Sequence, residues 1–125
     1  MPLPLRILAG LPGVLFCAIA IQWLFSPAEA ANGLALPLLR GAALSTQIGD
    51  IGAFFLGIGA FFLLGAVRLE RQWFTAAAVL VGGAAAYRIA AWALHGAPLA
   101  TDKIGVELFS TAIAALAASR CRGGR

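Results

Sequence analysis

The chain has 125 residues, of which 62% are hydrophobic and only 11% are charged, and its formal net charge is +4 at pH 7. The apolar fraction lies far above the roughly 45–50% of ordinary soluble domains, and the length is typical of a single domain. Most of the basic residues flank apolar runs and do not form a stripe with interleaved aromatic residues, so the charge does not indicate nucleic-acid binding.

The first apolar run, residues 7–28, contains no charge and directly follows Arg6. It predicts either a transmembrane helix over residues 6–26 or a secretory signal peptide, because Ala28-Glu29-Ala30 resembles a cleavage site. The uncharged run is longer than the roughly 7–15 apolar residues of a signal-peptide core. We therefore expect a retained helix, and cleavage of residues 1–30 stays the alternative.

The segment after this run combines helix breakers with apolar side chains. Proline and glycine recur at Pro27, Gly33, Pro37 and Gly41, which makes a long straight helix unfavourable. The leucines between them are too numerous for a freely solvated loop. The pattern predicts a short interfacial helix or turn at the membrane surface.

The second apolar run, residues 47–67, carries Gly49, Ala53 and Gly57 at four-residue intervals. Small residues at this spacing form a smooth strip that lets helices approach closely in lipid. We interpret the strip as a packing surface within the chain, with self-association of two copies as the alternative. The short link that follows, residues 68–71, predicts that the second and third helices are antiparallel neighbours.

The third run, residues 73–94, is apolar except for Arg88. A helix of this length covers roughly 33 Å, enough for a hydrocarbon core of about 30 Å. An arginine at the bilayer centre costs about 2.5 kcal/mol or more, so Arg88 is expected to have a partner. A fourth, alanine-rich span is predicted over residues 103–119 and contains Glu107.

The distribution of basic residues predicts the topology. The N-terminal flank, the link after the second span and the C-terminal tail hold six of them, and the other two connections hold Arg40 and Lys103. By the positive-inside rule this asymmetry places both termini in the cytoplasm. The sequence thus predicts an all-α, integral membrane four-helix bundle with up-down topology, forming one domain in a bacterial inner membrane.

Polar residues within the spans are expected to form one cluster in the outer half of the bundle. Asp50 and Glu107 lie roughly 5 and 6 Å from the outer ends of their helices, and Arg88 lies roughly 10 Å deep. The long arginine side chain can reach outward to them. His95 is two turns from Arg88 and Gln47 is one turn before Asp50, so both are assigned to the same cluster.

Two interpretations of this cluster remain open. It either locks the helices together as a structural ion pair or triad, or it forms a working polar site for a ligand or a proton. Glu107 has a second candidate partner in Lys103, one turn earlier on its own helix. A metal site built from His95 and the carboxylates is disfavoured, so no metal and no cofactor is predicted. Cys17 and Cys121 are expected at different depths, without a disulfide.

Three stretches carry a family resemblance: RILAGLPGVLF at the start, GDIGAFFLGIGAFFLLGAVR in the second span, and AYRIAAWALHGAP followed by VEL. Together they resemble a family of small four-span bacterial membrane proteins, known as a domain of unknown function and similar in architecture to DoxX-like proteins. The chain departs from that family at the start of the second span, where Gln47 and Asp50 stand in place of an acidic–arginine pair. The resemblance implies the topology and no reaction.

From these features we expect a non-enzymatic bundle that contacts membrane lipids and binds a small apolar or amphipathic ligand, or supports a larger membrane complex or a homo-oligomer. One alternative is a quinone-linked or redox accessory subunit, suggested by the DoxX-like architecture without a haem, flavin or iron–sulfur motif. Another is a small transporter or channel subunit, which would require an inverted repeat or oligomerisation.

Overall fold

A computed structural model describes residues 1–121 of the chain, and within them all regular secondary structure is helical. The all-α prediction is therefore confirmed for this part of the chain. Six helices occur in it: α1 (Leu3–Phe25), α2 (Pro27–Gly33), α3 (Ala42–Thr46), α4 (Gly52–Arg68), α5 (Arg71–His95) and α6 (Thr101–Arg120). A π-helical turn, Gln47–Ile51, joins α3 to α4, so that the second apolar run is one continuous helix from residue 42 to residue 68.

Three helices within residues 1–121 are long and apolar enough to cross a membrane: Leu3–Phe25, Ala42–Arg68 and Arg71–His95. At about 1.5 Å per residue each covers more than the about 30 Å of a hydrocarbon core. These three helices are consistent with a membrane protein. The fourth expected span corresponds to α6, which is helical and 20 residues long but is not among the three. Its charged residues set it apart: Asp102, Lys103, Glu107 and Arg120.

Consecutive long helices are antiparallel neighbours. The side chain of Arg6, near the start of α1, donates to the carbonyl oxygen of Ala66 at the end of α4. The side chain of Arg71, at the start of α5, donates to the carbonyl oxygen of Ala118 at the end of α6. Contacts run from α1 to α4, from α4 to α5 and from α5 to α6, with a smaller contact between α6 and α1. We call the end that holds Arg6 and Arg71 the basic end.

Two glycines set the distance between α1 and α4. A Cβ atom added at Gly59 would lie 2.5 Å from Sγ of Cys17 and 2.9 Å from the carbonyl oxygen of Gly13. A Cβ atom added at Gly13 would lie 3.1 Å from the carbonyl oxygen of Gly59. Only residues without a side chain fit this crossing, so the two backbones touch here.

Aromatic side chains fill the interior on either side of this crossing. The ring of Phe16 stacks against those of Phe55 and Phe62 with centroids 5.9 and 6.4 Å apart. Phe62 also meets Phe74 of α5 edge-on at 6.4 Å. Helix α1 thus supplies part of the core, including the fully buried Trp23. Cleavage after residue 30 would remove Phe16 and Trp23 from this core.

The small-residue strip of the second run does not pack inside the chain, contrary to our interpretation. No atom lies within 4 Å of a Cβ atom added at Gly49 or at Gly57, and Ala53 is exposed. The face of α4 that contacts α1 is offset from the strip and contains Gly52 and Gly59. Periodicity alone cannot separate two small-residue strips that lie side by side on one helix.

The segment between α1 and α4 contains the short helix α2, where a short helix or turn was expected. Ala30 and Ala31 of this helix are buried against the core. The leucines that follow are about two-fifths exposed: Leu36, Leu38 and Leu39. The chain therefore anchors α2 by two alanines and leaves apolar side chains on the surface near the start of α4.

Candidate functional site

An ion pair between Arg88 of α5 and Glu107 of α6 is the principal polar contact between the long helices. Nε of Arg88 lies 3.0 Å from Oε1 and 3.1 Å from Oε2 of Glu107. The Glu107 side chain is 11% exposed and that of Arg88 is 32% exposed. Burial in a low-dielectric interior strengthens such a pair, while the cost of removing both charges from water offsets part of that gain.

The helical pattern of α6 explains why Glu107 faces α5. The buried residues of this helix recur at three- and four-residue intervals: Ile104, Glu107, Ser110, Ile113, Ala114 and Ala117. This spacing forms one stripe along a helix. The pairing between helices is close, because a Cβ atom added at Gly82 of α5 would lie 3.3 Å from Cγ2 of Thr111. Glu107 is the only charged member of the stripe.

Arg88 uses only part of its hydrogen-bonding capacity. A guanidinium group carries five N–H donors, and an arginine usually meets a carboxylate with two of them in parallel. Here only Nε donates to Glu107, and within residues 1–121 the two terminal nitrogens have no hydrogen-bond acceptor. The four other N–H groups of Arg88 thus have no acceptor among the described residues.

Arg88 lines a hollow between α1 and α6, which we call the polar hollow. Its volume is about 240 Å³. Besides Arg88 and Glu107, the side chains that line it include Leu15 and Ile19 of α1 and Lys103 of α6. Three ionisable side chains therefore border a space whose other lining is almost wholly apolar.

A second hollow, the apolar hollow, continues from the polar hollow toward the basic end and has a volume of about 270 Å³. The two share Leu15 and Val106 in their linings. The remaining residues of the apolar hollow are Leu8, Leu11, Pro12, Phe109, Ser110 and Ile113. We call the two adjoining hollows together the α1–α6 furrow, which has charged groups at one end. The furrow exists because α1 and α6 contact each other less than the other neighbouring helices do.

Gln47 does not join Arg88 and Glu107. Its amide nitrogen donates to the carbonyl oxygen of Pro37 at 3.0 Å, and its amide oxygen accepts from the backbone N–H of Leu39 at 2.9 Å. The buried Gln47 side chain therefore ties the connecting segment to the start of α4. Gln47 therefore has a structural role. Its position one turn before Asp50 in the sequence did not indicate this role.

Asp50 and His95 are also separate from the pair. Both side chains are exposed, and neither forms an ion pair with any residue that the structure describes. Asp50 borders a different, open hollow of about 510 Å³ together with Leu36 and Gln47. The structure thus brings together two of the five predicted residues. The sequence predicts how far each residue lies along its helix. Which side chains meet depends also on the direction in which each one points from the helix axis.

Lys103 is not the partner of Glu107, although it precedes it by one turn. Its ammonium group lies 2.8 Å from Oδ2 of the neighbouring Asp102. The hydrogen bond from Lys103 holds the pKa of Asp102 below its usual value. Because the Asp102 side chain is 73% exposed, water screens this pair and leaves Lys103 able to exchange partners.

Sequence reasoning missed two features of the helix ends. Arg6 donates to the carbonyl oxygens of Ala66 and Val67, at 2.6 and 3.2 Å, and so caps the C-terminus of α4. Arg71 caps the C-terminus of α6 in the same way. Cations at helix C-termini are favourable because the last carbonyl groups lack partners. Both caps could have been predicted from one pattern: an arginine near the start of one helix, where an antiparallel neighbouring helix ends.

No group of three or more His, Cys, Asp or Glu side chains within residues 1–121 is arranged to hold a metal ion. Cys17 and Cys121 are both free thiols, and the thiol of Cys17 lies at the crossing of α1 and α4. The predicted tail residues Arg122 and Arg125 lie outside the described residues.

Comparisons of the chain with known protein families, with curated proteins and with solved structures gave no match.

Proposed function

We propose that the chain is a non-enzymatic four-span membrane protein that binds a small amphipathic ligand in the α1–α6 furrow. The observation that supports binding is the incomplete pairing of Arg88. Arg88 lines the furrow and has four N–H groups that Glu107 does not use, and unpaired donors in a non-aqueous environment are costly. A ligand with an acceptor at one end and an apolar tail satisfies both parts of the furrow.

The geometry favours binding over catalysis. Arginine remains protonated under all ordinary conditions, which makes Arg88 a poor general acid or base. Nε of Arg88 holds both carboxylate oxygens of Glu107. Such a pair is suited to orienting and retaining a ligand.

We propose α6 as the fourth span, which completes an up-down four-helix bundle. It runs antiparallel to α5, and contacts at both ends, Arg88–Glu107 and Arg71–Ala118, support a full-length pairing. Three of its charged residues lie near the helix ends, where water is accessible, and the fourth, Glu107, is neutralised by Arg88. Helix α6 is not among the three helices that are apolar enough to cross a membrane because it carries these four charged residues. Their positions, near the helix ends or next to Arg88, make them tolerable in a span.

The four-span arrangement with the basic end in the cytoplasm fits the positive-inside rule. It corresponds to a bacterial inner-membrane protein with both termini cytoplasmic and with Arg88 and Glu107 toward the outer side. The resemblance to small four-span, DoxX-like proteins supports the same arrangement.

Native mass spectrometry of the purified protein tests the binding proposal. Leu15→Trp adds bulk at the junction of the two hollows, where Leu15 is 47% exposed. The matched control is Val14→Trp, because Val14 is the adjacent residue of α1 and is 60% exposed but does not line the furrow. We expect a co-purifying small molecule on the parent and on the control, and its loss in Leu15→Trp. Equal occupancy in all three proteins would contradict the proposal.

A further inference from the structure

We infer that the ligand of the α1–α6 furrow is an anionic phospholipid, with its phosphate at Arg88 and Lys103 and one acyl chain along the apolar hollow. This inference rests on the proposed binding function and specifies the chemistry of its ligand. Four features of the furrow support it: its charge, its donors, its length and its position.

The charge of the polar hollow complements a phosphodiester. Arg88 and Lys103 contribute two positive charges to its lining and Glu107 contributes one negative charge. Asp102 is not part of that lining, and its side chain is largely in water. The lining side chains alone have a net charge of +1, which a singly charged phosphodiester neutralises when Lys103 exchanges Asp102 for the phosphate.

The arrangement of donors also suits phosphate. The terminal nitrogens of a guanidinium group match two oxygens of a phosphate in a bidentate contact. Because Glu107 occupies only Nε of Arg88, those nitrogens are available. The ammonium group of Lys103, once released from its screened contact with Asp102, provides a third donor at the hollow.

The length of the furrow matches one leaflet of a bilayer. Lys103 and Ile113 mark its two ends on α6, and the helix between them rises about 15 Å. Half of a hydrocarbon core of about 30 Å is the same length. One acyl chain therefore extends from the charged end to the middle of the membrane without leaving the groove.

The position of the charged end fits a lipid headgroup. Lys103 lies two residues after the start of α6 at Thr101, which places it near the membrane surface. Arg88 is deeper on α5, and the length of an arginine side chain allows its charged end to reach toward the surface. The furrow is open along its side, so that the second acyl chain of the lipid stays in the surrounding bilayer.

Titration of the delipidated, full-length protein in detergent, followed by native mass spectrometry, tests this inference. The two probes are phosphatidylglycerol and diacylglycerol with identical acyl chains, which differ only in the phosphate headgroup. We expect phosphatidylglycerol to bind at least about tenfold more tightly, as charge-assisted hydrogen bonds to phosphate imply. Equal affinities for the two probes would overturn the phospholipid assignment.

A variant pair tests the contribution of the cation without disturbing the core. Among residues 1–121 the ion-pair partner of Lys103 is the exposed Asp102, so we expect folding to be preserved in Lys103→Gln. Arg40→Gln is the control, because Arg40 is exposed on the same end of the molecule and does not line the furrow. We expect several-fold weaker binding of phosphatidylglycerol in Lys103→Gln and none of this weakening in Arg40→Gln. Equal weakening in both variants, or in neither, would contradict a phosphate at Lys103.

The Leu15→Trp variant separates this inference from the proposed function. If Leu15→Trp abolishes binding of both probes and the parent shows no preference for phosphate, the furrow binds a ligand but the phospholipid assignment is wrong. If Leu15→Trp binds both probes as the parent does, the furrow is not the binding site and both proposals fail.

Discussion

Arg88 and Glu107 are joined through a single N–H group, since Nε of Arg88 lies 3.0 and 3.1 Å from the two carboxylate oxygens of Glu107. This contact has two consequences. It neutralises a carboxylate on α6, which a membrane would otherwise disfavour, and it leaves the terminal nitrogens of the arginine without an acceptor among the described residues. One ion pair therefore supports both the proposed span α6 and the proposed binding at the furrow.

Arg88→Leu is predicted to destabilise the protein. Removing one partner leaves Glu107 buried without its cation, which costs about 3–5 kcal/mol for fully buried pairs. Because the Arg88 side chain is 32% exposed, we expect a smaller loss of about 1–3 kcal/mol in the free energy of unfolding. Unfolding in mixed micelles by a denaturing detergent measures this loss.

The double variant Arg88→Leu/Glu107→Leu is predicted to recover much of the lost stability, because replacing both partners by apolar residues is nearly neutral. Asp50→Leu is the control, since Asp50 is exposed and separate from the pair. We expect it to change the free energy of unfolding by no more than about 0.5 kcal/mol. A double variant as unstable as Arg88→Leu would show that the pair has additional partners.

Gly59→Ala is predicted to force α1 and α4 apart, because the new Cβ atom would overlap Cys17. Overpacking of this kind costs about 1–3 kcal/mol. Gly57→Ala is the matched control on the same helix, where no atom lies within 4 Å of the added Cβ. It is expected to raise stability by about 0.5–1 kcal/mol, the difference between alanine and glycine in a helix. Equal effects of the two substitutions on thermal stability in detergent would contradict the packing of α1 on α4.

Arg6→Ala is predicted to lower the free energy of unfolding by about 1–2 kcal/mol, because two carbonyl groups at the end of α4 lose their donor. Arg40→Ala removes an exposed arginine that makes no hydrogen bond to the described residues, and we expect almost no effect. Detergent-induced unfolding of both variants measures the difference. Similar stabilities would mean that the cap of α4 contributes little.

The thiol of Cys121 is predicted to react slowly with iodoacetamide. Burial raises the pKa of this thiol above its usual value, so that the reactive thiolate is less populated at each pH below that pKa. In a Cys17→Ala background the alkylation rate should continue to rise with pH beyond about 8.5, where a free cysteine is half ionised. The same chain unfolded in denaturant is the control. A rate that levels off at the same pH in the folded and unfolded chains would contradict this prediction.

The helical content and the three helices long and apolar enough to cross a membrane could be predicted, because they depend on long apolar runs and on glycine and proline breakers. Arg88 and Glu107 could also be predicted as partners, since charges of opposite sign within apolar helices require one. The rotation of each helix about its axis could not be predicted. It decides that Asp50 and His95 face outward, that Gln47 binds the connecting segment, and that the Gly49–Gly57 strip lies beside the packing face.

The furrow depends on tertiary structure in the same way. Leu15 and Val106 are unremarkable in the sequence, and their importance arises only because α1 and α6 pack loosely against each other. Contacts between the first and last long helices are separated by most of the chain, so no local pattern reports them. The same holds for the capping arginines, because each one contacts the end of a helix other than its own.

The most direct test of the four-span arrangement asks whether the C-terminus and the α5–α6 connection lie on opposite sides of the membrane. Reporter domains fused after Arg125, or inserted after Ala97 in that connection, determine both locations in cells. If α6 crosses the membrane, the reporter after Arg125 is cytoplasmic and the reporter after Ala97 is on the opposite side. If both reporters lie on the same side, α6 does not span the membrane and the four-helix arrangement proposed here is wrong.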